Sequence, residues 1–180
     1  MTDERSVTLI AIKEIRVVDE LKTQTQVFDV EGILKEKGLS LPNLPKQSGN
    51  YLFVNQVGKV LYMSGITCKY NGEIAYKGKV GKDLSIQAGY EASRITTLNH
   101  LTILKDYLGD FNKIDKIVKI TGYVNCDPDF TQVPNVINGT SDLLVELFGE
   151  KGKHARCAVG VASLPGDAAV ETDMMVLLKD

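Results

Sequence analysis

The sequence predicts an α+β domain in which a mixed β-sheet carries two helices on one face. Three observations point there. Runs of β-branched character and runs of helical periodicity follow one another as ββ, helix, β, helix, ββ, so at most one helix separates any two strand groups. Leu84, Ala88, Ala92, Ile95, Leu98, Leu101, Leu104 and Leu108 recur at steps of three and four, which marks a long amphipathic helix. The last two strands are rich in Val, Ala, Gly and Met, which leaves apolar a sheet face that the helices do not reach. Self-association is the expected cover for that face, with the N-terminal segment as the alternative.

Each element follows from local signals. Residues 1–44 differ from the rest and read as an N-terminal extension packed on a main domain of residues 45–180. Within it, Val7 to Val18 is rich in Val and Ile and reads as a strand. Asp29 is placed to cap a short helix through Ile33, Leu34 and Lys37, ended by Gly38 and the prolines Pro42 and Pro45. Tyr51–Val57 and Val60–Ser64 flank the turn signal Gly58-Lys59 and form a hairpin. Gly65–Gly81 is dotted with glycine and reads as loop with a short strand at most. Ser85 serves the long helix as N-cap and Gly109 as its stop. Ile114–Val124 is a strand that enters the turn Asn125–Phe130. The second helix runs from Pro134 to Phe148, with proline tolerated in the first turn and Gly149 at the end. Two strands, Ala155–Ser163 and Ala169–Leu178, joined through Leu164–Ala168, close the chain.

Composition excludes several function classes. The chain has 180 residues, 43% of them hydrophobic, enough for one substantial core. A net charge of −2 with interspersed Lys and Arg gives no basic face for nucleic acid. No segment resembles a signal core or a membrane span, and Cys68, Cys126 and Cys157 lie far apart without a CxxC. A cytoplasmic protein of a reducing compartment is expected, with no metal and no cofactor. Gly78-Lys79-Val80-Gly81 lacks the spacing of a phosphate loop, and there is no GxSxG nucleophile elbow. Of the two histidines, His100 reads as a surface or packing residue, and His154 as an anion contact or a solvated side chain.

Arg156 is the residue that asks for a role. Strand parity puts Arg156, Ala158, Gly160 and Ala162 on one face, and Cys157, Val159, Val161 and Ser163 on the other. Small side chains beside a guanidinium leave room for bidentate capture of a carboxylate, although a rim salt bridge explains the same pattern. Cys157, on the opposite face, is expected in the core. If the last two strands pair about Gly166-Asp167, Arg156 faces Leu177 and lies about 20 Å from Glu171. The two then belong to one site only if they come from different chains.

The stretch ARCAVGVASLPGDAAVE resembles the signature of the RidA family, also called the YjgF/YER057c/UK114 or endoribonuclease L-PSP family. The resemblance runs from about Gly49 to Leu178 and takes in GNYLFVNQVGKVLYMSG, NHLTILKDYLGDFNKIDKIVKITGYV, Asp129-Phe130 and Asn138. The closest resemblance is to a longer-chain branch, marked by the extension and by GKHAR. It implies the chorismate-mutase-like α+β fold, a homotrimer with clefts between subunits, and, in deaminase members, hydrolysis of enamines or imines to 2-oxo acids and ammonia. The family's essential arginine falls on Arg156, which would hold a substrate carboxylate. Its motif glutamate falls on Glu171, which would position or activate water. Tyr51, Gly65 and Asn138 fall on substrate-binding positions.

An imine is already electrophilic, so its hydrolysis needs orientation, water and proton transfer and no strong nucleophile. The resemblance therefore implies a small 2-oxo or 2-imino acid as ligand. Three departures stand out: Ala158 where a cysteine is common, Ile66 where a glutamine is common, and Gly152-Lys153-His154 ahead of the arginine. The alternatives are an endoribonuclease, which the family's older name suggests, and a non-catalytic protein that binds or senses small carboxylates.

Overall fold

The computed structural model describes residues 29–180, and the strand expected over Val7–Val18 lies outside them. Helix α1, Val30–Glu36, is capped by Asp29, whose Oδ1 accepts from Gly32 N at 2.9 Å. Strands β1 (Val54–Val57) and β2 (Val60–Thr67) form the expected hairpin, with Val57 opposite Val60 and Gly58 in the left-handed region at φ 59°. The glycine-dotted segment contains a two-residue pair, β3 (Lys69–Tyr70) with β4 (Glu73–Ile74). Helix α2, Ile86–Leu108, starts on Ser85, whose side chain accepts from Ala88 N. It stops at Gly109, which takes φ 76° and donates back to Lys105 O. Strand β5 (Ile114–Asn125), helix α3 (Val133–Phe148), strand β6 (Ala155–Val161) and strand β7 (Val170–Leu178) complete the chain.

The five long strands form one mixed sheet in the order β1-β2-β7-β5-β6. In this respect the expected final hairpin is corrected, because β6 and β7 do not pair with each other. Strand β6 lies parallel to β5 with Arg156 opposite Ile120, and β7 lies antiparallel to β5 with Met174 opposite Ile120. The physical reason is the connection. After Leu164, Gly166 and Asp167 take φ 66° and 60°, and Ala169 N donates to Tyr76 O at 3.0 Å. The chain is thereby carried over the end of β5. The Lys79 ammonium anchors that crossing on Asn125 Oδ1 (3.0 Å), Cys126 O (3.4 Å) and the Ala162 carbonyl. Such an arrangement satisfies backbone acceptors that a tight hairpin would have paired.

Both long helices lie on one face. Leu61, Ile117, Ile120, Met174 and Val176 of the sheet pack on Leu101, Leu104, Leu143 and Leu147, and α1 adds Val30 and Leu34 to the same cluster. A second cluster gathers Val80, Val124, Val136, Ile137 and Val170 at the other end. Two glycines allow the close approach. A Cβ on Gly122 would press into Ile137, and one on Gly139 would strike the carbonyl of Tyr90 and the hydroxyl of Ser93. Ser93 donates to Val136 O at 2.8 Å and accepts no slack there, since Thr140 Oγ1 also donates to Ser93 O at 2.9 Å. Alanine usually improves a helix by about 1 kcal/mol over glycine. Here Gly139→Ala is expected to lower stability by about 2 kcal/mol through overpacking, read as a shifted midpoint in chemical denaturation.

The other sheet face is uncovered within the described chain. It carries Tyr62, Thr121, Tyr123, Cys157, Val159, Glu171, Asp173 and Met175, all partly or largely exposed. Cys157, expected in the core, is exposed. Its side of β6 turns away from α3, and no element of the described residues lies there. No described helix is long and apolar enough to cross a membrane.

Candidate functional site

The first group of predicted residues assembles on β6 and α3. Arg156, on the sheet-edge strand, shares the helix-covered face with Ile120 because the two are register partners. Its Nη1 donates to Asn138 Oδ1 at 2.8 Å and to Ser141 Oγ at 3.0 Å, both one turn apart on α3. Ala158 and Gly160 follow on the same face; Gly160 leaves room for Cys126 Sγ and Val133, so the small residues serve the approach of α3. His154 extends the network. Its Nδ1 donates to Gly152 O at 2.7 Å, which leaves Nε2 as an acceptor for the Ser141 hydroxyl at 3.1 Å. Burial holds the His154 imidazole below its ordinary pKa, so it is neutral near pH 7. The chain of bonds therefore has one polarity: Ser141 gives its proton to His154 and receives one from Arg156. The Nε and Nη2 edge of Arg156 has no partner among the described residues and is open to an anion.

The second group lies at the other side of the sheet. Glu171, Gly65, Tyr51 and Ser64 line a cavity of about 300 Å³, together with Ile66 and Asn99. A bulge in β2 shapes it: Met63 pairs with Met174 and Ile66 with Thr172, so Ser64 and Gly65 together oppose Asp173. Ser64 is pinned by its N–H to Phe53 O (3.0 Å) and its hydroxyl to Leu52 O (2.7 Å). The absence of a Cβ on Gly65 lets the Glu171 carboxylate lie against the backbone there; a larger residue would displace that carboxylate. Tyr51 precedes β1, which starts three residues later than expected, and stacks edge-on against Phe53 at 5.9 Å. Burial first, and the charge of Asp173 second, raise the Glu171 pKa above the ordinary glutamate value. A carboxylate so placed accepts a proton more readily than a solvated one.

The two groups do not meet in one chain. Arg156 stands level with Ile120, and Glu171 level with Tyr123, on strands flanking β5. Three residues along and two strands across amount to about 14 Å between backbones, with side chains on opposite faces. The separation is smaller than the hairpin register implied, because β5 intervenes, yet no Arg156–Glu171 ion pair is formed among the described residues.

A family model described as "YjgF/chorismate mutase-like, putative endoribonuclease" matches residues 31–171. The chain belongs to this family. A curated relative, Protein TCP17 of Trypanosoma cruzi, is 38% identical over 148 residues, covering 82% of this chain and 92% of that protein. The crystal structure of the protein Atu1372 with unknown function from Agrobacterium tumefaciens superposes with a TM-score of 0.79 at 39% identity, covering 84% and 94% of the two chains. A "putative endoribonuclease" from Shewanella oneidensis gives 0.80 at 32% identity over 83% of this chain and 99% of its own.

As a YjgF/RidA-family fold, the molecule presents two residues that sequence reasoning passed over. Ser141 carried a signal, since it stands three positions after Asn138 and so lies on the same helix face. Ser64 was read only as the last residue of the strand Val60–Ser64. Its role in fixing the bulge depends on β1 contacts that no local pattern reveals.

Proposed function

We propose that the chain is an enamine/imine deaminase that hydrolyses reactive 2-aminoacrylate-type intermediates to 2-oxo acids and ammonia in clefts of a homotrimer. One observation carries this reading: Arg156, with an open guanidinium edge, lies on the edge strand β6, while Glu171 and its cavity lie two strands away on the other sheet face. Two different surfaces of one chain that complete each other between copies meet head to tail, and head-to-tail contacts that close make rings. The exposed edge strand β6 and the uncovered sheet face fit such a contact.

In the assembled cleft, the open edge of Arg156 holds the substrate carboxylate while Asn138 and Ser141 fix the guanidinium plane. An enamine first takes a proton at C3 and gives one up from nitrogen to become the imine. Glu171 then orients water against C2; the water oxygen bonds to C2, its protons pass to nitrogen, and C–N cleavage releases ammonia and the 2-oxo acid. The raised Glu171 pKa places the acid limb of kcat/KM above the ordinary glutamate value near 4.3, and the limb is expected to vanish with Glu171→Gln. The deciding experiment adds the protein to a serine or threonine dehydratase reaction and follows ammonia and 2-oxo acid. Faster release that depends on Arg156 supports the reading; unchanged kinetics with every amino acid tried defeats it.

The names of relatives also suggest an endoribonuclease. Against it stand the net charge of −2 and the burial of His100, which leaves no accessible pair of imidazoles for general acid–base cleavage of RNA. Cleavage that survives Arg156→Ala would be assigned to a contaminant.

A further inference from the structure

The cavity beside Glu171 has a neighbour across Asn99. A second cavity of about 420 Å³ shares Pro45, Lys46, Lys69 and Asn99 with it, and is completed by Asn43 and Leu44 of the N-terminal segment and by the β3–β4 turn. Three hydrogen bonds build that wall. Asn43 N donates to Asn71 Oδ1 at 3.0 Å, Ser40 Oγ pairs with Tyr70 Oη at 2.9 Å, and Thr102 Oγ1 donates to Pro42 O at 3.1 Å.

Two features of the junction point to a ligand. Asn99 is only 2% exposed, and its Nδ2 is spent on Lys69 O (2.6 Å) and Ile95 O (3.0 Å). Its Oδ1 carries no hydrogen bond among the described residues and is not sealed off, so it opens onto the space that Asn99 lines. Lys46 and Lys69 line both cavities without an ion pair among the described residues, and no carboxylate lines the second cavity. Two unpaired cations beside one cavity favour an anion between them and focus its approach.

We propose that this second compartment binds an anionic group at the far end of the substrate, so that the preferred substrate class is a 2-imino acid with a second carboxylate. The inference rests on the deaminase reading for the reacting end; Lys46 and Lys69 supply the distal contact, and Asn99 Oδ1 accepts from a donor, of ligand or water, along the way. A three- or four-carbon monoacid would leave the lysines unanswered.

The test compares binding of 2-oxobutanoate, 2-oxoglutarate and succinate to the full chain and to Lys46→Gln/Lys69→Gln, by calorimetry at fixed ionic strength. Both lysines are exposed, so the double variant is expected to fold. On the wild-type chain, 2-oxoglutarate should bind about tenfold more tightly than 2-oxobutanoate, and the double variant should lose that preference while holding 2-oxobutanoate within about twofold. Equal affinities on the wild-type chain, a preference that survives the double substitution, or binding of neither oxo acid overturns the inference. Parallel ammonia-release assays separate the two readings. Deamination without a dianion preference removes the second compartment alone. Lysine-dependent binding of 2-oxoglutarate and succinate without deamination removes the deaminase reading and leaves the anion site standing.

Discussion

Under the proposed deaminase mechanism, Arg156→Ala and Glu171→Gln, each strongly impaired alone, should together recover about a quarter of wild-type activity when co-refolded in equal amounts. The expectation follows from where the two residues sit. Arg156 is on the outer strand β6 against α3, and Glu171 is beside the β2 bulge, two strands away and on the other face. If each cleft draws its arginine from one copy and its glutamate from the next, random mixing leaves half the arginine sides and half the glutamate sides intact. One cleft in about four is then whole. Alone, Arg156→Ala removes the charge-assisted contact to the substrate carboxylate and should cost about 3 kcal/mol of transition-state stabilisation, on the order of a hundredfold in kcat/KM. Arg156→Lys does not rescue it, because a point-charge ammonium cannot hold Asn138 and Ser141 while presenting a second edge. Neither substitution touches the core, so both chains fold and assemble. Co-refolded protein with mixed subunits and no recovered activity would place both residues in the same chain's cleft and end this account.

The individual elements were legible because local chemistry specified them. Asp29, Ser85 and Gly109 each sit where the sequence puts a cap, and the 3.6-residue pattern from Leu84 to Leu108 needs no tertiary information. Strand partners were not legible in the same way. Two β-rich runs separated by a Leu-Pro-Gly-Asp turn read as a hairpin, and only the Lys79 anchor and the loop over β5 keep β6 and β7 apart. One sequence-level argument does favour the observed order: a strand–helix–strand unit with neighbouring strands must run parallel, and β5–α3–β6 is such a unit. The candidate site divides along the same line. The parity that placed Arg156 beside small residues holds, since it depends only on alternation within a strand. Cys157 was misplaced because parity says which face a residue takes, not which face is covered. Ser141 shared a helix face with Asn138 that the sequence spacing showed, but its bond to Arg156 and the β2 bulge each depend on a partner far away in sequence.

Lowering the pH from 7.5 to 4 should cost the fold about 3 kcal/mol through His100 alone. His100 is wholly buried in α2, and burial pushes its pKa down from 6.5 to about 4. The tautomer is fixed by its neighbours. Thr172 Oγ1 donates to Thr96 Oγ1 at 2.8 Å, and Thr96 Oγ1 donates to Ser93 O at 2.7 Å. Thr172 Oγ1 is thus an acceptor, and His100 Nε2–H donates to it at 3.1 Å and to Thr172 O at 2.9 Å. Nδ1 is left buried with no partner among the described residues, so a second proton there would be a buried charge without an acceptor among them. The sign follows from this. The unfolded chain binds the proton below pH 6.5 and the folded chain resists it until about pH 4, so stability is full above 6.5 and declines as pH falls through that window. Asp173 and the Thr172 carbonyl oppose the shift and do not outweigh burial. His100→Gln can keep a donor on Thr172 while removing the titration. Urea denaturation of both proteins at the two pH values isolates the term, because Glu171 and the other carboxylates titrate in each. A stability difference between wild type and variant that is the same at pH 7.5 and pH 4 would show that His100 is not the group. The expected result is a difference that swings by about 3 kcal/mol toward the variant on acidification.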